Sequence, residues 1–296
     1  MTDTNEIKSV EETSSPKKSK NMLVRILTAI VSIAIFVPVC IFSSTIVFNI
    51  FISVLCLVGT FEVAKCLGFH KNLALTIPVY LISAGLPILR HFQGGNRSFY
   101  AFAMIGLFAI LLYFLSYVML RKNKDDISKL LTFFALTTYV VGCFCSILAI
   151  RRGPNGASTY LLAFLGAWIC DTFAYFTGVL IGKHKLIPEI SPKKTIEGSI
   201  GGIVFTIIGF IVYGLIINSF FEANISYIYL AILGLILSIV SQMGDLIASA
   251  VKRQYGIKDY GFIFPGHGGV IDRFDSVMLC APVLLVFNTI IFYFNL

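Results

Sequence analysis

The sequence predicts an all-α, polytopic integral membrane protein with about nine transmembrane helices and a cytoplasmic N-terminus. Three observations predict it. Of 296 residues, 57% are hydrophobic and only 13% are charged, against about 25% charged in a soluble domain. The apolar residues fall in runs of roughly 20, the length an α-helix needs to cross the hydrocarbon core. The basic residues sit between these runs, abundant in alternate gaps and scarce in the others, as the positive-inside rule requires.

Residues 1–22 are polar, with Lys8, Glu11, Glu12, Lys17, Lys18 and Lys20 among serines and threonines. That composition reads as a disordered cytoplasmic tail. The next apolar run is too long for a signal-peptide core and lacks a small-residue cleavage site, so it reads as a retained span. The expected spans are 23–42, 46–66, 73–90, 99–120, 130–150, 160–181, 200–218, 227–250 and 277–294. Pro78 and Pro87 interrupt the third, which membrane helices tolerate where neighbours satisfy the freed carbonyls. With the N-terminus inside, the cytoplasmic segments hold 19 of the 23 Lys and Arg residues. Arg90, Arg97, Arg151 and Arg152 fall outside, and the last two are the blemish in the pattern. One span more or fewer would spoil the asymmetry. The chain divides into membrane helices over 23–150 and a C-terminal region, 151–296, that carries the candidate chemistry.

Some functions are disfavoured at this level. The net charge of +8 suits an anionic membrane surface or anionic ligands. The basic residues are interleaved with spans rather than gathered in one soluble domain, so nucleic acid is not an expected partner. The seven cysteines lie in or beside apolar runs and match neither a zinc spacing nor a disulfide framework. They read as small packing residues.

Candidate chemistry begins with two carboxylates in apolar surroundings. Asp171 lies inside the sixth span and Asp245 near the cytoplasmic end of the eighth. A charge at the centre of a span costs about 2.5–3.5 kcal/mol on insertion scales and marks a functional or paired residue. The bland alternatives are headgroup-level exposure for Asp245 and an internal pair for Asp171. Asp245, Ser249 and Lys252 share one helix face, with Gln242 on nearly the same stripe, and Asp171, Tyr175 and Gly178 share another. Two cytoplasmic segments, 182–199 and 251–276, are long, basic and rich in Gly or Pro, which favours function over mere connection. The first offers Lys193 and Lys194.

The densest stretch is 249–275. Lys252, Arg253, Lys258 and Arg273 offer cations for phosphates, and Asp272 and Asp275 would share one side of a helix. Pro265-Gly266-His267-Gly268-Gly269 cannot form a helix or strand interior, and its glycines would let backbone N–H groups approach phosphate oxygens. A loop that only anchored to anionic lipid would need no aspartates. Carboxylates beside a basic cluster point instead to magnesium on a polyphosphate, with Asp245 and Asp272 sharing or bracketing the ions.

The run Ser249 to Asp275 resembles the signature of the CDP-diacylglycerol synthases, or phosphatidate cytidylyltransferases. It carries Ser249, Lys252, Arg253, Lys258, Asp259, Pro265, His267, Gly268, Gly269, Asp272, Arg273 and Asp275 at the family's fixed positions. Ser191-Pro192-Lys193-Lys194-Thr195 with Glu197-Gly198, and Asp171-Thr172 with Ala174-Tyr175 and Gly178, resemble two further family segments. The likeness covers the C-terminal half; the first half shares only its hydrophobicity.

The resemblance implies a homodimer acting on CTP and phosphatidate, while the brevity of the chain and the lack of an obvious organelle-targeting segment suggest a bacterial inner membrane. The resemblance also implies one or two divalent ions, magnesium by expectation and compatible with a monovalent cation, and metal ligands at Asp245 and Asp272. On this reading the phosphatidate phosphate, whose second pKa is about 6 by analogy with phosphorylated side chains, attacks the α-phosphorus of CTP without a strong base. Lys193, Lys194, Lys252, Arg253 and Arg273 bind phosphates, with Ser249, Lys258, Gly268 and Gly269 assisting. His267 hydrogen-bonds a phosphate oxygen or the leaving group. Asp275 orients Arg273 or completes the metal shell, and Asp171 lines the lipid entry. The alternatives are a CTP-dependent kinase of a lipid alcohol, which would release CDP, and a secondary transporter using Asp171 and Asp245 as ion sites. No internal repeat supports the transporter.

Overall fold

The computed structural model describes residues 16–92, 96–120, 127–153, 155–221 and 224–294. Residues 1–15 of the expected tail lie outside these, and from Pro16 the chain is already helical. The elements are α1 (Pro16–Ile41), α2 (Ile46–Cys66), α3 (Leu73–Phe92), α4 (Asn96–Leu120), α5 (Ile127–Arg151), the single turn α6 (Gly156–Thr159), α7 (Leu161–Ile181), β1 (Lys185–Ile187), β2 (Ser191–Thr195), α8 (Ile196–Phe221), α9 (Tyr227–Gln254) and α10 (Ile271–Phe294). Eight helical stretches are long and apolar enough to cross a membrane, α6 and α7 counting as one, and α4 adds a shorter apolar run, Ala103–Met119. The all-α polytopic expectation holds, with one small hairpin inserted.

Large apolar side chains point outward along most helices, among them Ile33, Leu81, Met119 and Leu180. Such a surface belongs in lipid rather than water. The interior is a run of buried aromatics and aliphatics, with Phe48, Phe133, Phe144, Phe164 and Phe210 fully enclosed. Helix α5 packs on both α2 and α10, and α7, α8, α9 and α10 form the second cluster. Phe274 of α10 joins the two clusters through edge contacts with Phe144 (5.7 Å) and Phe164 (6.5 Å). Between α2 and α3, Asn49 Nδ2 donates to Pro87 O (2.7 Å) and Ser53 Oγ to Ala84 O (2.6 Å).

At one end of the bundle Arg151 and Arg152 have structural partners. Arg151 Nε donates to Ser43 Oγ (2.9 Å) and its guanidinium lies over the Tyr160 ring (5.7 Å). Arg152 Nη2 donates to His91 O (2.9 Å). Their place outside the charge pattern therefore has a local cause.

The segment 182–199 carries a hairpin: β1 and β2 pair antiparallel, with Lys185 opposite Thr195 and Ile187 opposite Ser191. The last helix begins at Ile271 rather than 277, so Asp272, Arg273 and Asp275 lie in its first two turns. Charged residues had hidden that start. The seam between α7 and α8 is the most extensive helix contact, and glycine permits it. A Cβ at Gly198 would lie 2.6 Å from Ala174 O, and one at Gly178 would lie 2.9 Å from Thr195 Oγ1.

Candidate active site

The hairpin is pinned at both feet. Thr195 Oγ1 accepts from Gly198 N (3.1 Å), capping α8. The Glu197 carboxylate accepts from Lys183 N (3.1 Å) and His184 N (3.2 Å) and pairs with His184 Nδ1 (2.6 Å). The hairpin thus hangs over the ends of α7 and α9, and Lys194 Nζ reaches Asp245 Oδ2 at 2.7 Å. Ser249 Oγ donates to Asp245 Oδ1 (3.3 Å), one helical turn away as the spacing predicted. Gln242 joins α9 to α8 through Ser199, whose Oγ donates to Gln242 Oε1 (2.5 Å).

Behind this pair lies a cleft of about 630 Å³, walled by α7, the hairpin, α8, α9 and the start of α10. Asp171, Asp245, Asp272 and Asp275 line it together with Lys193, Lys194, Lys252 and Arg273. With Asp259 and Lys185, which also line it, five carboxylates and five cations meet in one place. The cleft holds no His or Cys side chain, so its donor set is oxygen. That suits a hard divalent cation, which takes one or two carboxylates and leaves positions for phosphate oxygens and water. Among the described residues no three His, Cys, Asp or Glu side chains are grouped closely enough to enclose a metal alone.

The two expected metal ligands sit in different surroundings. Asp245 keeps 29% of its side chain exposed and has an ammonium beside it. Asp272 is 2% exposed, and both its oxygens are engaged. Oδ1 accepts from Lys252 Nζ (2.9 Å), and Oδ2 accepts from Tyr260 N (2.8 Å) and Gly269 N (3.0 Å). Lys252 also lies over the Tyr260 ring (5.7 Å). Burial pushes the Tyr260 phenol well above its ordinary range, and its hydroxyl donates to Ala248 O (3.1 Å).

The Pro265–Gly269 turn is closed on itself. His267 N (2.8 Å) and Gly268 N (3.1 Å) both donate to Phe264 O, and Phe264 N donates to Gly268 O (2.9 Å). Gly266 and Gly268 have φ of +77° and +89°, a conformation glycine adopts without strain. The N–H groups of Gly268 and Gly269 are bonded to Phe264 O and Asp272 Oδ2, and these glycines build the turn. A second cleft of about 480 Å³ opens beside it, lined by Arg25, Lys258, Asp259, Phe262, Phe264, His267, Gly268 and Arg273 among others. Asp259 and Arg273 face both clefts. His267 Nδ1 lies 2.7 Å from Thr28 Oγ1 of α1. Partial burial, with Arg273 and Arg25 nearby, holds its imidazole below the ordinary value. Arg253 is exposed and lines neither cleft.

Sequence reasoning missed Glu62. It is fully buried on α2. Its Oε1 accepts from Val270 N (2.9 Å) and its Oε2 from Ile271 N (2.9 Å). The only signal was a carboxylate inside the run Thr60-Phe61-Glu62-Val63, easily read together with Lys65 as a span boundary.

Residues 23–291 match the model of the cytidylyltransferase family. Phosphatidate cytidylyltransferases of Staphylococcus saprophyticus, Staphylococcus epidermidis and Staphylococcus aureus are each 36% identical over 263 residues, covering 89% of this chain and 97% of theirs.

Proposed function

Since this chain belongs to the cytidylyltransferase family, we propose that it makes CDP-diacylglycerol from CTP and phosphatidate, releasing pyrophosphate. One phosphate oxygen of phosphatidate bonds to the α-phosphorus of CTP, and the bond from that phosphorus to the β-phosphate bridging oxygen breaks. The names of relatives that align over 97% of their length support the substrates. The observation that carries the reading is the 630 Å³ cleft in which membrane-helix carboxylates and loop cations converge.

The chemical obstacle is electrostatic, because a phosphate dianion must reach a triphosphate. Lys193, Lys194, Lys252 and Arg273 lower that repulsion and hold the departing pyrophosphate. Asp245 would hold magnesium, with Asp171 and Asp275 lining the same cleft. Asp272 would contribute an oxygen only if its bond to Lys252 were given up. The ion, when bound, supplies charge neutralisation at the transferred phosphoryl group. His267 offers a hydrogen bond at the second cleft, which Lys258 also lines. Outward-facing Tyr175 and Val179 flank the first cleft, so the acyl chains can remain in the bilayer while the phosphate enters sideways.

The excess of Lys and Arg on this end of the bundle supports a cytoplasmic N-terminus in a bacterial inner membrane, the side on which CTP is available. The test is incubation of the full chain in nanodiscs with labelled CTP, phosphatidate and magnesium. Label in the lipid extract and stoichiometric pyrophosphate are expected. CDP in place of pyrophosphate would identify a kinase. Solute flux without CTP turnover would identify a transporter.

A further inference from the structure

We propose that Glu62 is a positioning residue: its carboxylate, brought in on α2, fixes the start of α10 and so aims Arg273 and Asp275 into the cleft. The inference rests on reading that cleft as the place of cytidylyl transfer. The first N–H groups of a helix have no partner within it. Here two of them, at Val270 and Ile271, are met by the two oxygens of one side chain more than 200 positions away in sequence. A buried carboxylate is costly to hold, and a serine or asparagine next to the helix would cap it more cheaply.

The surrounding chain is shaped to admit it. A Cβ at Gly261 would lie 2.3 Å from Glu62 Oε1, and one at Gly269 would lie 2.2 Å from it. Glu62 and Asp272 divide the work at this terminus. Asp272 secures Tyr260 N and Gly269 N, and Glu62 secures the next two N–H groups in the chain. Together they fix the helical phase of α10. At 3.6 residues per turn, a slip of one residue would swing each side chain by about 100°. Arg273 and Asp275 would then leave the cleft wall they now share with Asp171 and Asp245.

The test compares Glu62→Gln, Gly261→Ala and Asn49→Ala in the full chain in phosphatidate nanodiscs. Asn49→Ala is the control: it removes a buried hydrogen bond from the same helix, but one directed at Pro87. The readouts are kcat, KM for CTP, melting temperature and amide hydrogen exchange over residues 269–275. Glu62→Gln should lower kcat by about 100-fold, the scale of a misplaced catalytic group, and speed exchange at Val270 and Ile271. Gly261→Ala should do the same by displacing the carboxylate. Asn49→Ala should lower the melting temperature yet keep kcat within about twofold of wild type. Wild-type kcat in Glu62→Gln, or an equal kcat loss in Asn49→Ala, would overturn the proposal. If Glu62→Gln does not fold, Gly261→Ala decides by the same readouts. If the wild type forms no lipid product, the cytidylyl reading fails, and unchanged exchange at Val270 and Ile271 would separately refute the anchor.

Discussion

Replacing Asp272 by asparagine separates two roles that a carboxylate in this cleft could have. The amide can still accept from Tyr260 N and Gly269 N with its oxygen, but its NH2 then faces Lys252 Nζ, 2.9 Å from the present Oδ1. Breaking a buried pair by removing one partner costs about 3–5 kcal/mol. Lys252 retains 15% exposure and relaxes toward water, so the lower end applies, about 3 kcal/mol. At roughly 2 °C per kcal/mol for a large domain, the melting temperature should fall by about 6 °C. Asp245→Asn is the counterpart. It loses only the partly exposed contact with Lys194, worth about 1 kcal/mol or less, yet it should reduce CTP incorporation to background. The assay is thermal unfolding of both purified variants beside product formation at saturating CTP. An Asp272→Asn protein that melts like wild type would refute the assignment of that carboxylate to the packing of α10. Near-normal turnover in Asp245→Asn would refute its part in holding metal.

Two further outcomes follow from the geometry. The imidazole of His267 has its pKa below the ordinary value near 6.5, so the unfolded chain binds more protons there and stability falls as pH drops from about 6.5 toward the folded value. His267→Gln should flatten the melting temperature against pH below about 6.5, and an unchanged slope would show the group is not linked to folding. Gly198→Ala drives a Cβ to 2.6 Å from Ala174 O, a backbone atom that cannot step aside. It should destabilise by about 1–3 kcal/mol, read as a lower melting temperature; an unaffected seam would mean that α7 and α8 slide freely.

The spans were legible because a bilayer leaves little choice: a chain there must be helical and apolar for some 20 residues. Seven of the nine expected intervals differ from the helices by only a few residues. The exceptions lie where polar residues do structural work. Asp272, Arg273 and Asp275 look like loop, yet caps from elsewhere let α10 start there. The hairpin at Lys185–Thr195 is not legible because Pro188 and Pro192 break any alternation, and it is pinned by Thr195 at its end and by Glu197 beyond it. The carboxylates and lysines of the cleft were legible as types and spacings. The division of labour between Asp245 and Asp272 was not, since it depends on which oxygens are already bonded. Glu62 was hidden for the same reason: its partners are main-chain groups of residues far along the chain, which no side-chain pattern reports.

One guanidinium, that of Arg273, borders two compartments at once. Its positive charge is a shared quantity, and a phosphate drawing on it from one side leaves less for an anion arriving on the other. Whatever fills the compartment beside the glycine turn therefore sets the attraction felt in the one beneath the hairpin. The two occupants are coupled through a single side chain before either has moved a helix.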